Sequence, residues 1–442
     1  MDCDKTTNKD LNFYMDYLSN NGIIYAVRYL LEFAGVGLEN VHITFNDWSQ
    51  NPSVDVNLIN NKHIIFKILK PFEIRRLISG ELPDIRIYSF DNSVEVPIFP
   101  TSNCKSFATI DQNSLIINPD IVIPSFIMLA RYEEIIIQER DQFNRFEYKN
   151  SIAEKYNFID IPIVDEYAML LRMSLLKYIP KFHLNKKVSK VIPTHDVDFL
   201  IRFSSLLRNF KTIIGGDLLI RKNLLIAFKS IHECIISIND PKKDPFLTAI
   251  QRLSEISKDA RLSSIFYFKG LRNGQYDSTY DISAPEVKYA MGIIKEMGMT
   301  LGMHGSLESY NDGNVFRREK ESIEAIWNRK ISLVRQHFLL FDVRKTLQIW
   351  QSNGITNDSS LGYAEREGFR CGTCHEYYLY NLIDDHISTV KENPLIVMDV
   401  TLFEYRRFNL ETAINRIDKL FNRCKAVEGN FTILWHNNNL TS

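Results

Sequence analysis

From residue 190 onward the chain alternates apolar runs of strand length with amphipathic helical stretches. Seven runs fit strands: "VIPTHDVD", "SSIFYFKG", "MTLGMHGS", "SLVRQHFLLF", "GITNDSSL", "LIVMDVTLF" and "FTILWHNN". Between the second and third, "SAPEVKYAMGIIKEMG" sets Val287, Met291, Ile294 and Met297 on one helical face. Ser283 is its expected N-cap, Pro285 falls in the first turn and Gly298 closes it. Strands alternating with such helices predict βα units and a parallel sheet or incomplete barrel. Upstream the pattern is mixed. Residues 11 to 34 read as helical material broken at "SNNG", and "VHITF", "KHIIFKIL", "IRIYSF" and "VEVPIFP" read as short strands. Ile123 to Ile136 read as one apolar helix whose Arg131, Glu133 and Glu134 make a charged end. The expected organisation is an N-terminal α/β domain over 1–120, a larger α/β domain over 190–442, and between them a helical linker region over 121–189 that packs on the larger domain.

Polar residues gather where these strands end. Asp196 and Asp198 are two residues apart, so they point to one side of their strand while Val197 faces the other. In α/β folds the carboxyl ends of strands line the active-site mouth. Two carboxylates this close repel, and a bound cation or a shared proton relieves them. "TLGMHGSLESY" adds His304, with Glu308 four residues on, a pair that faces one another if the chain turns helically there. "VRQHFLLF" puts Arg335 and His337 on one side. The arginine suits a carboxylate or a substrate oxygen, and the histidine is either a third metal ligand or a substrate contact. Asp399 either orients a histidine or arginine or caps a turn, and His436 emerges at the same mouth. One divalent ion, zinc being the first expectation, held by Asp198, His304 and either Glu308 or His337, polarises a carbonyl and lowers the pKa of water. Asp196 then takes a proton and His436 gives one to the leaving group, which is hydrolysis of an amide or ester.

Composition narrows the classes. A chain of 442 residues, 45% hydrophobic, can bury a large core and more than one domain. Lys plus Arg number 53 against 54 Asp plus Glu, and the net charge of -1 gives no support for a nucleic-acid or membrane-surface partner. No run approaches the roughly 18 apolar residues of a transmembrane segment. The start, "MDCDKTTNKDLNFYMDYL", is acidic and polar where a signal peptide is basic and then apolar, so a cytoplasmic location is expected. The six cysteines form no secreted disulfide framework. "FRCGTCHEY" offers Cys371, Cys374 and His375 but lacks two more zinc ligands at motif spacing, and packing is the expected role. "YYLYNL" reads as core or groove wall, and "GGDLL" and "GLRNG" match no phosphate-binding pattern.

Taken in order, "THDVD", "GMHGS", "RQHFL", "DSSLGYAEREGFRCGTC" and "LWHNN" resemble the polysaccharide-deacetylase-like (NodB-homology) proteins of bacteria, especially a Bacteroidetes branch with an extra N-terminal domain. "ARYEE", "DQFNRFE" and "IPIVDEYAMLL" look like that branch's linker. The resemblance implies a deformed seven-stranded (β/α) barrel over 190–442 and metal-dependent removal of N- or O-acetyl groups from a carbohydrate substrate. It also implies Asp196 as base, Asp198 as metal ligand and His436 as general acid. The family's second motif carries two histidines four apart, where this chain has His304 and Glu308; either Glu308 or His337 takes the second place. Arg335 and Arg370 are both candidates for the arginine that orients the base. The alternatives are a catalytically inactive carbohydrate-binding or scaffold protein on the same barrel, and a hydrolase of a non-sugar amide.

Overall fold

The structure, a computed structural model, describes residues 18–39, 41–46, 51–58, 61–82, 86–90, 94–101, 106–179, 187–203, 224–271, 277 and 280–440. Residues 11–17 of the first helical run, all of "GGDLL" and residues 272–274 of "GLRNG" lie outside the described residues.

The "SNNG" break is where a helix begins. Ser19 accepts the backbone N–H of Gly22 and caps the helix Asn20–Ala34, whose Gly35 closes it in the left-handed conformation. Next along the chain come the strands β1 (His42–Phe45), β2 (Ser53–Leu58), β3 (Lys62–Lys67), β4 (Arg86–Phe90), β5 (Val94–Pro100), β6 (Ala108–Asp111), β7 (Ser114–Ile117) and β8 (Pro119–Asp120). They build a five-stranded sheet in the order β1-β2-β3-β7-β6 and a three-stranded one in the order β4-β5-β8. Along β2 and β3 every second residue, Val54, Val56, Ile64 and Phe66, is buried, as the two-residue period of a strand with one covered face requires.

The single helix expected over Ile123 to Ile136 is two, Val122–Leu129 and Tyr132–Ile136, because Arg131 between them takes φ 55. That left-handed residue folds its guanidinium back into the core. Arg131 bonds Glu133 at 2.6 Å and Glu134 at 2.8 Å, and donates to the carbonyls of Met128 and Arg370. Arg370 reaches the same Glu134 carboxylate at 2.8 Å. All four side chains are buried, so the charges expected to close a helix end instead tie the linker to the loop around Arg370. The helix Ile163–Tyr178 completes this layer.

The remaining strands are β9 (Val191–Val197), β10 (Ile265–Phe268), β11 (Thr300–Gly305), β12 (Leu333–Gln336), β13 (Asn357–Asp358), β14 (Tyr377–Asn381), β15 (His386–Glu392), β16 (Val397–Met398) and β17 (Phe431–Leu434). They form one mixed sheet in the order β14-β15-β13-β12-β11-β10-β9-β17-β16. Its nine strands are the seven expected runs plus the hairpin β14–β15, which the "YYLYNL" pattern concealed. Only β14 runs antiparallel. Arg335 on β12 bonds Thr194 and Asp196 on β9, three strands away. Strands spaced about 4.8 Å apart in a flat sheet would separate those backbones by about 14 Å, too far for one side chain, so the sheet curls and resembles a deformed barrel.

Two local features let β9 and β11 occupy its centre. Pro193 has no N–H to give, but the ladder from β9 to β10 starts only at Thr194. At Gly302 a Cβ would come within 2.6 Å of the Tyr267 ring, so only glycine lets that ring lie beneath Arg335, 4.8 Å from its guanidinium. The helix Pro285–Glu296 starts at Ala284 in place of the expected Ser283, whose hydroxyl is turned to Asp281.

Candidate metal centre

Asp196 is the penultimate residue of β9, and Asp198 comes directly after the strand. His304 stands near the end of β11, and His337 opens the turn after β12. Arg335 thus belongs to the strand, while His337 lies beyond it, although the sequence pattern places both within one run. Two consecutive non-glycine residues, Phe338 at φ 59 and Leu339 at φ 57, bend the chain immediately after His337. Such strain, of order 1–3 kcal/mol per residue, persists where packing enforces it. Here the Phe338 ring lies against Phe143, centroids 4.7 Å apart.

Asp198, His304 and His337 each present one ligand atom, all within 4.8 Å of one another. Asp198 Oδ1 is 3.4 Å from His304 Nε2 and 3.5 Å from His337 Nε2. Ligand bonds of about 2.0–2.1 Å in a tetrahedron give edges of about 3.3–3.4 Å, so these separations suit a zinc-like ion. The histidines are turned for it. His304 Nδ1 lies 2.9 Å from the Arg335 carbonyl, to which it must donate, leaving a buried Nε2 that makes no hydrogen bond. His337 Nδ1 lies 3.1 Å from the Asp277 carboxylate, which likewise fixes the tautomer and aims Nε2 inward. This outward hydrogen bond is the usual companion of a ligating imidazole. The three residues can therefore coordinate a divalent ion. Glu308 is exposed in the turn after β11, and the triad forms without it.

The remaining candidates surround the triad. Arg335 donates to Asp196 at 3.2 Å and is itself pinned by Thr194 at 2.7 Å and by Ser359. Arg370 is committed to the linker network. His436 Nε2 is 3.6 Å from Asp198, and its Nδ1 is 2.7 Å from Asp399. Asp399 also accepts the His436 backbone N–H and the Asn439 amide, so it orients the histidine. Burial alone would lower the His436 pKa, but the Asp399 carboxylate, helped by Asp198 and Asp196, raises it to about 9. His195, between Thr194 and Asp196, points the other way, packs on Phe266 and is pushed down to about 4 by burial.

Lys269, directly after β10, and Asp277 carry no sequence signal that singles them out. The lysine is buried, with its ammonium 2.9 Å from Asp198 Oδ1 and 3.2 Å from each ring nitrogen of His337. Burial would raise the Asp198 pKa, yet Lys269 and His337 hold it well below the usual carboxylate range. The nearest thing to a signal for Lys269 is a lysine closing an apolar strand at the same end as Asp198. Above the centre is a cavity of about 170 Å³, walled by Arg145, Phe338, Tyr405 and His436 among others. Ordinary ligand pockets run to roughly 300–1,000 Å³, so this one suits a group of a few atoms better than a large ligand. Cys371, Cys374 and His375 lie buried elsewhere, with Cys374 on Asp165 and His375 on the Val427 carbonyl.

The raised pKa of His436 gives a pH test. Its folded value lies above its ordinary 6.5, so its stabilising contribution is complete below about pH 6.5 and is lost as pH rises through about 9. In metal-free protein, the stability difference between wild type and Asp399→Asn is expected to shrink between pH 6 and pH 10, measured by denaturant unfolding. A constant difference would remove the ion pair from this account.

Residues 3–180 match a family of unknown function, DUF7033, a match that ends before β9. No curated protein matches the chain. Among solved structures, a protein assigned as a polysaccharide deacetylase from Mycobacterium smegmatis is 17% identical, with 57% of this chain and 78% of that chain covered at a TM-score of 0.36. A CE4 family pseudoenzyme from Bacillus anthracis is 14% identical, with 59% of each chain covered at a TM-score of 0.25. A mutant of that pseudoenzyme with restored enzymatic activity is 14% identical, covering 59% and 61% at 0.25. The chain thus spans about three-fifths of the pseudoenzyme, and these likenesses to the polysaccharide deacetylase group are distant. No helix among the described residues is long and apolar enough to cross a membrane.

Proposed function

We propose that this chain is a metal-dependent hydrolase that removes N- or O-acetyl groups from a carbohydrate or a sugar-containing precursor. The observation that carries the reading is the triad of Asp198, His304 and His337, whose two imidazoles each have the other nitrogen anchored outward. An ion held there, zinc being our first assignment, supplies Lewis-acid polarisation of the acetyl carbonyl and a lowered pKa for water.

The protein's own groups do the rest. Asp196, fixed by Arg335, accepts the proton of the attacking water. Phe338, Tyr405 and Arg145 wall the small cavity that receives the acyl group and limit its exposure to bulk water. His436, cationic and held by Asp399, passes its Nε2 proton to the departing amine or alcohol as the bond to the acyl carbon breaks. Asp196 on Arg335 and His436 on Asp399 thus offer one centre a base and an acid, a pair that a binding protein has no need of.

Acetate release from acetylated amino sugars, with and without added metal, tests the reading. His436→Ala is expected to keep its metal and lose about 10²–10⁴-fold in turnover. An unchanged rate on a substrate with a poor leaving group would remove the acid role. Release that survives complete chelation would remove the metal from the reaction.

A further inference from the structure

We propose that Lys269 is a counter-cation built into this centre, and that a divalent ion binds there only by displacing its ammonium from Asp198 and His337. The inference rests on the hydrolase reading above and concerns how the same site is loaded.

Three carboxylates of the centre each have a cationic side chain against them, while a fourth, Asp277, holds His337. Asp196 faces Arg335 at 3.2 Å, Asp198 faces Lys269 at 2.9 Å, and Asp399 faces His436 at 2.7 Å. The relief that two neighbouring carboxylates require is therefore supplied by side chains of the protein itself. Lys269 touches the very atoms that a metal uses, Asp198 Oδ1 and His337 Nε2, the second at 3.2 Å. Its ammonium is equally far from both ring nitrogens, so it stands off the lone-pair axis of each and leaves Nε2 aimed at the centre.

An ammonium and a divalent ion cannot share this space. Two cations on one carboxylate oxygen repel strongly even at the effective dielectric of a protein interior, and Lys269 already holds Asp198 Oδ1. The lysine backbone is fixed: its N–H donates to Tyr280, whose hydroxyl donates to the Val197 carbonyl beside Asp198. Behind it, a Cβ at Gly270 would strike the Glu319 backbone, so the chain cannot back away. Displacement must come from rotation of the four-carbon side chain. Arginine, with its planar fork, would not make the same retreat. Metal affinity is therefore set partly by the work of moving Lys269, and the centre holds together without an ion.

The test is calorimetric titration of zinc into metal-free wild type, Lys269→Met and Lys269→Gln, with denaturant unfolding of the same metal-free proteins. Both variants are expected to bind one ion about tenfold or more tightly than wild type, since they lack the opposing charge. Both are also expected to be less stable than wild type without metal, because the Asp198 carboxylate then has one cation fewer beside it. A lysine with a purely structural role would give only the second effect. Equal or weaker binding in both variants, with one ion bound by wild type, overturns the proposal and leaves the hydrolase reading standing. No ion bound by any of the three overturns both.

Discussion

Asp198→Ala is expected to lose its metal and about 10³-fold in turnover together, a loss of about 4 kcal/mol of transition-state stabilisation. Asp198 is the only anionic member of the triad, and two neutral imidazoles hold a divalent ion poorly without it. The substitution also strands Lys269, which is 3% exposed, without its carboxylate. Breaking a buried ion pair from one side costs about 3–5 kcal/mol, so the metal-free variant is expected to be less stable as well. Asp198→Asn keeps the shape and separates the two effects: it is expected to fold more stably than the alanine variant and still to bind metal poorly. Metal analysis beside an acetate-release assay checks this, and full occupancy in Asp198→Ala would move the ligand role elsewhere.

Glu134→Ala is expected to cost about 3–5 kcal/mol of folding stability, although it lies outside the cavity above the triad. Its carboxylate is shared by Arg131 at 2.8 Å and Arg370 at 2.8 Å, and all three side chains are no more than 3% exposed. Removing it leaves two buried guanidiniums to the single carboxylate of Glu133. Burial would raise the pKa of Glu134, but Arg370 and Arg131 outweigh it and lower the pKa below its ordinary 4.5. The stabilisation is therefore present above about pH 4.5 and is lost as pH falls through the lower folded value. Denaturant unfolding at pH 7 and pH 3 measures both, and a loss under about 1 kcal/mol at pH 7 would contradict the account.

The contrast between these two sites explains what the sequence could show. Asp196, Asp198, His304 and His436 are legible because each ends an apolar run of strand length, and a parallel arrangement brings such ends to one mouth. Asp277 sits in a loop with no periodicity to place it, and its role exists only through His337. Lys269 closes its strand as many solvated lysines do, so its burial against Asp198 depends on how far the sheet curls. The pairing of His304 with Glu308 assumes a helical continuation. The chain instead makes a turn that leaves Glu308 exposed, while His337 comes in from the neighbouring strand.

The same limit holds for the fold. Local pattern locates seven strands and misses the hairpin β14–β15, whose tyrosines serve equally well as core. It also places Arg131, Glu133 and Glu134 at the charged end of a single helix. Their burial is dictated by Arg370, 236 residues away from Glu134 along the chain, and no window of local sequence carries that partnership.

Elemental analysis of wild-type protein, purified without chelator and without metal from an affinity tag, tests the central claim most directly. About one zinc-like ion per chain is expected, held by Asp198, His304 and His337. Protein that stays metal-free after equilibration with zinc, cobalt, nickel and manganese would contradict it.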